Sequence, residues 1–327
     1  MADEKPSDPS PDPKSISATD PLTVPLLDGG VRERLTARFG AEIAAWLDGL
    51  PKVLEALAMR WRVELGSLIP RGSMSVVIRC GLPDGRSSVL KVSPDRVRLA
   101  AEAAALDRWT TAHTPSVLEV DESVGALLME AIEPGIPLVE SLVYPDTETA
   151  ANLLLALHAS GVPDPSYLPL ARRVANLFNS GTNPYKRHPE LLDLIPRELY
   201  ERGRQLATRL AVRVPPTALL HGDLTPTNIL DGGVQRGLVA IDPAPCLGDD
   251  LAFDAIDLVL WQADDGDMIA SRAKLLAPAI GVDTGHLVEW CTAFAAMTAL
   301  ELAESPNAPP NRVQTYLTLA AQAPGDA

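Results

Sequence analysis

Residues 221–228 read His221-Gly222-Asp223-Leu224-Thr225-Pro226-Thr227-Asn228, and this stretch decides the fold. The Asp follows the apolar pair Leu219-Leu220, and the Asn stands five residues after the Asp. A second Asp closes the apolar run 238–241 and begins Asp242-Pro243. Enzymes that transfer a phosphoryl group use two carboxylates and one amide in this order to bind the metal ion and to orient the acceptor. The spacing therefore predicts a phosphoryl-transfer site at residues 223, 228 and 242.

The roles of the three side chains follow from the chemistry. Mg2+ takes hard oxygen ligands and keeps several waters, so Asn228 and Asp242 are sufficient as its predicted protein ligands. Asp223 is predicted to orient an acceptor hydroxyl and take its proton. Residues 228–231 and 237–241 read as two strands of a hairpin that brings Asn228 and Asp242 to one end. An ordinary hairpin with solvated acidic ends is the alternative for any one of these residues alone.

A lysine upstream supplies the cation that phosphates need. Residues 87–92 alternate as a strand with Lys91 near its end. A helix is predicted to start after Pro94 with Asp95 as its N-cap, and Glu102 falls on its buried stripe. A buried carboxylate needs a partner, so we predict that Lys91 pairs with Glu102 and holds the ATP phosphates. The alternative is a Lys and a Glu on two solvated faces.

Two further segments are predicted to touch the nucleotide. Residues 65–78 read as strand, turn and strand, and the amides of Gly72, Ser73 and Met74 are predicted to meet phosphate oxygens, although a plain hairpin turn fits equally well. Residues 125–130 read as a buried strand that the chain leaves toward Glu133-Pro134-Gly135. Adenine is predicted to bond backbone groups where this strand ends, at Met129, Glu130, Ala131 and Ile132.

In this order the motifs resemble the aminoglycoside phosphotransferase branch of the protein-kinase-like fold, and most closely its streptomycin 6-kinase / hydroxyurea phosphotransferase family. The run 45–51 with Trp61 ten residues on, and the run 240–245 with Phe253-Asp254 after it, also resemble that family. The resemblance covers roughly residues 30–305. Two departures stand out: Gly222 replaces the Arg of the protein-kinase motif, and Thr225-Pro226-Thr227 fills a position near the acceptor.

The resemblance implies an α+β, bilobal protein-kinase-like fold, with a small N-lobe of antiparallel sheet and helix and a larger, mainly helical C-lobe. It implies ATP, with GTP left open, and Mg2+, and the inactivation of a streptomycin-like aminoglycoside by O-phosphorylation. It makes Asp223 the base, Asn228 and Asp242 the metal ligands, and Lys91 with Glu102 the phosphate-binding pair. The alternatives are a kinase of a small metabolite (sugar, choline, homoserine or hydroxyurea-like) and, more remotely, a nucleotide-binding pseudokinase.

Composition sets the outer bounds. The chain has 327 residues, of which 46% are hydrophobic, enough for two lobes with a sizeable core. A net charge of −15 argues against nucleic acid and fits a small cationic substrate, although acidic surface also serves solubility. Three scattered cysteines fit a reduced cytoplasm, and no 18-residue apolar run predicts a membrane span. We expect a cytoplasmic monomer or weak homodimer.

Three regions are predicted along the chain: a disordered tail at 1–25, N-terminal helices and the nucleotide lobe at 26–132, and a helical C-lobe with the catalytic loop and acceptor site at 133–327. The family pattern makes Asp254 a brace near the metal loop and His221 a structural residue. Other acidic residues are predicted to bond cationic groups of the acceptor, although a solvated helix face is the alternative for each. They are Asp249, Asp250, Asp257 and Asp264, with Glu289, Trp290, Glu301 and Glu304 as further candidate walls.

Overall fold

A computed structural model describes residues 29–70, 74–141, 143–212 and 217–324. The predicted tail at 1–25 and the predicted phosphate contacts at Gly72 and Ser73 lie outside these residues. Two helices open the described chain, and strands with one helix follow. Their bounds are α1 (Gly29–Phe39), α2 (Ala44–Trp61), β1 (Glu64–Ile69), β2 (Val76–Gly81), β3 (Ser87–Val92), α3 (Arg96–Arg108), β4 (Val117–Asp121) and β5 (Ala126–Glu130), with a 3-10 turn at Ala41–Ile43.

The strands of this first half form an antiparallel sheet, in the order β1-β2-β3-β5-β4 among the described residues. Lys91 stands opposite Val77 on β2 and Leu127 on β5, so it lies on the central strand. Helix α3 begins as the sequence predicts, because the Asp95 carboxylate accepts the amide of Arg98 at 3.0 Å.

The second half is mainly helical. Its elements are α4 (Thr147–Ser160), β6 (Leu168–Pro169), α5 (Leu170–Ser180), α6 (Asn183–Arg187), α7 (Leu191–Leu194), α8 (Arg197–Ala211), β7 (Ala218–Leu220), β8 (Ile229–Asp231), α9 (Gly233–Arg236), β9 (Leu238–Ala240), β10 (Cys246–Gly248), α10 (Leu251–Leu260), α11 (Gly266–Ala279), α12 (Thr284–Ala303) and α13 (Pro310–Ala320), with a 3-10 turn at Leu138–Glu140. Nowhere in the described residues is a helix long and apolar enough to cross a membrane.

Short strands hold the catalytic segment in place. Strands β8 and β9 pair antiparallel with Ile229 opposite Ala240, which is the predicted hairpin with a short helix at its tip. Strand β10 pairs antiparallel with β7, where Cys246 lies opposite Leu220. Both pairings flank residues 221–228, so the loop is supported by strands on both sides.

Two hydrophobic clusters account for the packing. One lies between the sheet and helices α1 and α2, with Leu54, Ile78 and Leu90 fully buried. The other joins α3 to the helical half and has Trp290 at its centre, fully buried. Burial of each large apolar side chain contributes about 1.5–3 kcal/mol. Because α3 shares this second cluster with Leu127 and Met129 of β5, the helix that carries Glu102 packs on the sheet and links it to the catalytic half.

Arg236 ties the catalytic hairpin to the segments that join the two halves. Its guanidinium, at the end of α9, donates to the carbonyl of Thr114 at 2.8 Å and to the Glu130 carboxylate at 2.6 Å and 3.2 Å. The amide of Ala240 donates to the carbonyl of His113 at 2.8 Å. The loop between α3 and β4, the end of β5 and the hairpin are therefore fastened together.

Candidate active site

Asp254 and His221 brace the loop that carries Asp223. In the first turn of α10, the Asp254 carboxylate accepts the buried amides of His221 at 2.8 Å and Gly222 at 2.9 Å. A neutral imidazole satisfies both contacts of the His221 ring, with Nε2 donating to the Ile241 carbonyl at 3.1 Å and Nδ1 accepting the Asp223 amide at 3.3 Å. Burial lowers the pKa of His221 to about 4 and raises the pKa of Asp254 to about 6.

The Asp223 carboxylate is held from both sides. Arg173, on α5, donates to Oδ1 at 3.0 Å, and the amide nitrogen of Asn228 donates to Oδ2 at 3.1 Å. The same Asn228 nitrogen also donates to the Asp223 carbonyl at 2.9 Å. Burial raises the pKa of Asp223 above its ordinary value, although the Arg173 charge opposes this. The side chain remains 30% exposed, so an acceptor can reach it.

Lys91 joins the sheet to the catalytic hairpin. Its buried ammonium donates to both oxygens of Glu102, at 2.8 Å and 2.7 Å, so the predicted ion pair is present. It also donates to Oδ1 of Asp242 at 2.5 Å. Burial alone would lower the pKa of Lys91, but the two carboxylates outweigh burial and raise it. Lys91 is therefore a permanent cation at the edge of the cleft.

Asp242 occupies a special backbone position. Its φ is 55°, in the left-handed region that costs a non-glycine residue about 1–2 kcal/mol. The amide of Ile241 donates to the carbonyl of Asn228 at 2.9 Å, which keeps the two predicted metal ligands side by side. Burial alone would raise the pKa of Asp242, but Lys91 and Arg98 hold it below its ordinary range. Such strain concentrates at functional sites, where the surrounding structure holds a side chain in its working direction.

Asn228 and Asp242 fit a magnesium ion by their donor set. The side-chain nitrogen of Asn228 is engaged with Asp223. The side-chain oxygen Oδ1 of Asn228 is therefore the atom left for a cation. Asp242 adds a charged oxygen beside it. Throughout the described ranges no group of three or more His, Cys, Asp or Glu could hold a metal, which excludes a zinc-type cage there. A site with few protein ligands suits Mg2+, which keeps its waters.

Part of the backbone at the predicted adenine contacts is already used in strand pairing. Met129 is buried within β5, and the Glu130 amide donates to the Ser116 carbonyl at 2.9 Å. The Ala131 amide donates to the Ser87 carbonyl at 3.4 Å. The amide of Ile132, immediately after the sheet, makes no such bond in the turns and loops of the described residues. The two amides before Ile132 are therefore taken by neighbouring strands.

Three of the predicted acceptor residues face other side chains of the protein. Asp250 is buried and accepts from His286 and the Trp290 indole, each at 2.7 Å, so its role is structural. Asp264, beyond the other end of α10, pairs with Arg312 at 2.8 Å. Asp249 lies 3.6 Å from His158. A ten-residue helix spans about 15 Å, so residues at its two ends cannot share one small pocket.

Asp257 is the predicted acceptor residue whose pKa responds to the charge of Asp223. Burial raises its pKa to about 7, and the charges of Glu301, Asp223 and Asp254 add to that rise. Glu301, on α12, lies at the surface, and its pKa is raised to about 7 with the Asp223 charge among the causes. The carboxylates of Asp223, Asp257 and Glu301, from a loop and two helices, therefore influence one another's charge.

Sequence reasoning missed two arginines of this site. Arg98, in the first turn of α3, lies 3.9 Å from Oδ1 of Asp242. Arg173 bonds Asp223 as described. A signal for Arg173 was present, since it stands three residues after Leu170 and one before Val174, on the buried stripe of an amphipathic helix. A charge in that position needs a partner, by the same argument that identified Glu102.

The class of protein follows from the fold and from solved structures that share it. The choline kinase LicA of Streptococcus pneumoniae superposes with a TM-score of 0.57 at 15% sequence identity, covering 83% of this chain and 99% of that one. At this identity the likeness shows the fold alone, and that fold is the bilobal, α+β protein-kinase-like fold that the sequence predicts. The site of Lys91, Asp223, Asn228 and Asp242 lies within it.

The family is shown by the sequence profile of the aminoglycoside/hydroxyurea antibiotic resistance kinases, which matches residues 60–305. The chain belongs to this family and is a phosphotransferase. Streptomycin 6-kinase of Streptomyces griseus is 28% identical over 296 residues, which are 85% of this chain and 90% of that protein. Hydroxyurea phosphotransferase of Kitasatospora aureofaciens is 27% identical over 257 residues, 77% of this chain and 72% of that protein. The resemblance inferred from the motifs is confirmed.

Proposed function

We propose that the protein is an ATP- and Mg2+-dependent kinase that phosphorylates a hydroxyl of a cationic, streptomycin-like antibiotic. The observation that carries the proposal is the Lys91 ammonium, which bonds Glu102 and Asp242 while Asp223 is held separately by Asn228. This arrangement provides a cation for phosphates, a pair of hard metal ligands and a proton acceptor in one cleft. Those are the parts that phosphoryl transfer requires of a protein.

The reaction can be followed through the residues of the chain. Lys91 and the amide of Ile132 position the nucleotide, with Glu102 keeping the ammonium in place. Asp223 accepts the proton of the acceptor hydroxyl as its oxygen bonds to the γ-phosphorus and the bond to the bridging oxygen of ADP breaks. Asn228 and Asp242 would hold Mg2+, which neutralises phosphate charge when bound.

A cationic acceptor is supported by charge. The charge of Asp223 acts on both Asp257 and Glu301, and each of these carboxylates can bond an ammonium or guanidinium group. The whole chain is acidic, with a net charge of −15, which assists the approach of a cation. A phosphate added to such an antibiotic brings negative charge that opposes its binding to anionic RNA. The streptomycin kinase relative points to the same acceptor class.

A small uncharged acceptor is the second candidate, favoured by the similarity to a hydroxyurea phosphotransferase. Asp257 and Glu301, with pKa values of about 7, are largely neutral in slightly acidic solution and would then tolerate such a ligand. The two candidates share every catalytic residue. They differ in whether the acceptor needs the two carboxylates ionised.

The test is ADP release from ATP and Mg2+ in a panel of acceptors: streptomycin, other aminoglycosides, choline, homoserine and hydroxyurea. Asp223→Asn is the inactive variant, and Asp267→Asn, an exposed carboxylate on α11, is the matched control. We expect turnover on streptomycin that is lost in the first variant and kept in the second. Phosphorylation of hydroxyurea or a metabolite alone would overturn the proposed antibiotic, and equal turnover by the Asp223→Asn protein would overturn the assigned base.

A further inference from the structure

The catalytic loop cannot carry a cation of its own beside Asp223. The preceding residue, where the protein-kinase motif has Arg, is Gly222 with φ of +78°. A Cβ built there would collide with the backbone carbonyl oxygen of Ala244. Neither the backbone angle nor the space admits a side chain, so any positive charge must come from elsewhere in the chain.

Arg173 brings that charge from helix α5. Its Nε donates to the Gly222 carbonyl at 2.8 Å, and a terminal nitrogen donates to Oδ1 of Asp223 at 3.0 Å. One planar guanidinium thus bonds the backbone of the loop and the carboxylate that the loop carries. The side chain is only 19% exposed, so these bonds are largely shielded from water.

The second oxygen of Asp223 is fixed independently. The Asn228 nitrogen donates to Oδ2 at 3.1 Å, so each oxygen has one donor and the carboxylate plane is set by two points. A carboxylate accepts about four hydrogen bonds, which leaves lone pairs for an acceptor hydroxyl. Resting on the function proposed above, we infer that Arg173 is a positioning residue that aims the Asp223 carboxylate at the acceptor.

The helix does not depend on Arg173 for its own attachment. Leu170, Val174 and Phe178 anchor α5 in the hydrophobic core, and all three are buried. Holding a long side chain in one conformation costs about 1.5–2 kcal/mol of rotamer entropy. The two hydrogen bonds of Arg173 that offset this entropy cost both go to the catalytic loop. Their effect is therefore to orient Asp223.

The kinetic test compares Arg173→Ala, Arg173→Lys and Arg172→Ala, the last being the exposed neighbour on the same helix. We expect Arg173→Ala to lower kcat about 100-fold, since misplacement of a catalytic group by about 1 Å has that effect, while KM for both substrates stays within about threefold. Guanidinium chloride at low millimolar concentration should restore part of kcat in Arg173→Ala and leave Arg172→Ala unchanged. Arg173→Lys, which cannot make both bonds, should fall between them.

Crystal structures of the wild type and Arg173→Ala test the inference without turnover. We expect the Asp223 carboxylate to leave its wild-type rotamer while the backbone of 221–228 and the Asn228 side chain stay in place. An unmoved carboxylate, or an unchanged kcat in Arg173→Ala, would overturn the positioning role. If the wild type phosphorylates no acceptor in the panel, the proposed function fails, and the rotamer comparison still decides the role of Arg173.

Discussion

Gly222→Ala perturbs the catalytic loop through a single methyl group. Two effects combine at this position: the backbone has φ of +78°, and the new Cβ would collide with the Ala244 carbonyl. Gly85, in the turn between β2 and β3, has φ of +84° with no heavy atom within 4 Å of a built Cβ. Gly85→Ala therefore carries the same backbone strain without the collision, and the difference between the variants isolates the collision.

The magnitudes follow from these geometries. An alanine in the left-handed region costs about 1–2 kcal/mol, which is the whole loss expected for Gly85→Ala. At Gly222 the collision adds about 1–3 kcal/mol of overpacking. Relief of the collision requires the loop to move by about 1 Å, and Asp223 moves with it, so kcat should fall about 100-fold. In Gly85→Ala kcat should be unchanged.

Urea unfolding measures the loss of stability, and ADP release at saturating acceptor measures the change in kcat. Both variants are assayed well below their unfolding midpoints, so that the folded fraction is the same. The reasoning is refuted if the two variants lose equal stability and keep equal kcat. That result would mean that the loop yields to the methyl group without displacing the base.

Three further results are expected. Asp242→Asn should weaken Mg2+-ATP binding more than acceptor binding, because it removes a charged metal ligand; isothermal titration with and without Mg2+ measures this, and an unchanged magnesium dependence would exclude the assignment. Glu102→Gln should lower the free energy of unfolding by about 3–5 kcal/mol, since it breaks a buried ion pair, whereas exposed Glu119→Gln should have almost no effect in the same urea titration. Because Asp257 has a pKa of about 7, it is neutral below that pH and charged above it. KM for a cationic acceptor should therefore fall as pH rises through 7, and a profile that is the same in Asp257→Asn would contradict this.

Local patterns predicted the parts of the site that depend on a few neighbouring residues. The N-cap at Asp95 and the buried position of Glu102 follow from helical spacing, and the Lys91 pair follows from the cost of an unpaired buried carboxylate. The hairpin with Asn228 and Asp242 at one end follows from two short apolar runs around glycines. Each of these inferences needs only the periodicity of one or two elements.

The roles of some residues depend on partners far away in the sequence, and local patterns could not predict these roles. Asp250 is acidic like its neighbours, but its partners His286 and Trp290 lie 36 and 40 residues away, so no local pattern marks it as structural. The Ala131 amide is occupied because it donates to the Ser87 carbonyl, and this bond can be foreseen only when the register of the strands is known. Long-range pairing is set by packing of the whole chain, and composition near a residue does not report it.

The hydrogen bonds of Arg236 to Thr114 and Glu130 restrict how the cleft between the sheet and the catalytic loop can open. A hinge at residues 131–135 would have to part the Glu130 carboxylate and the His113 loop from the hairpin, and so break several charged and backbone bonds at once. Strands β1 and β2 form the far edge of the sheet, away from these bonds. Entry and exit of the nucleotide should therefore depend on flexing of that edge. Hydrogen exchange would show this as fast exchange in β1 beside slow exchange at the hairpin.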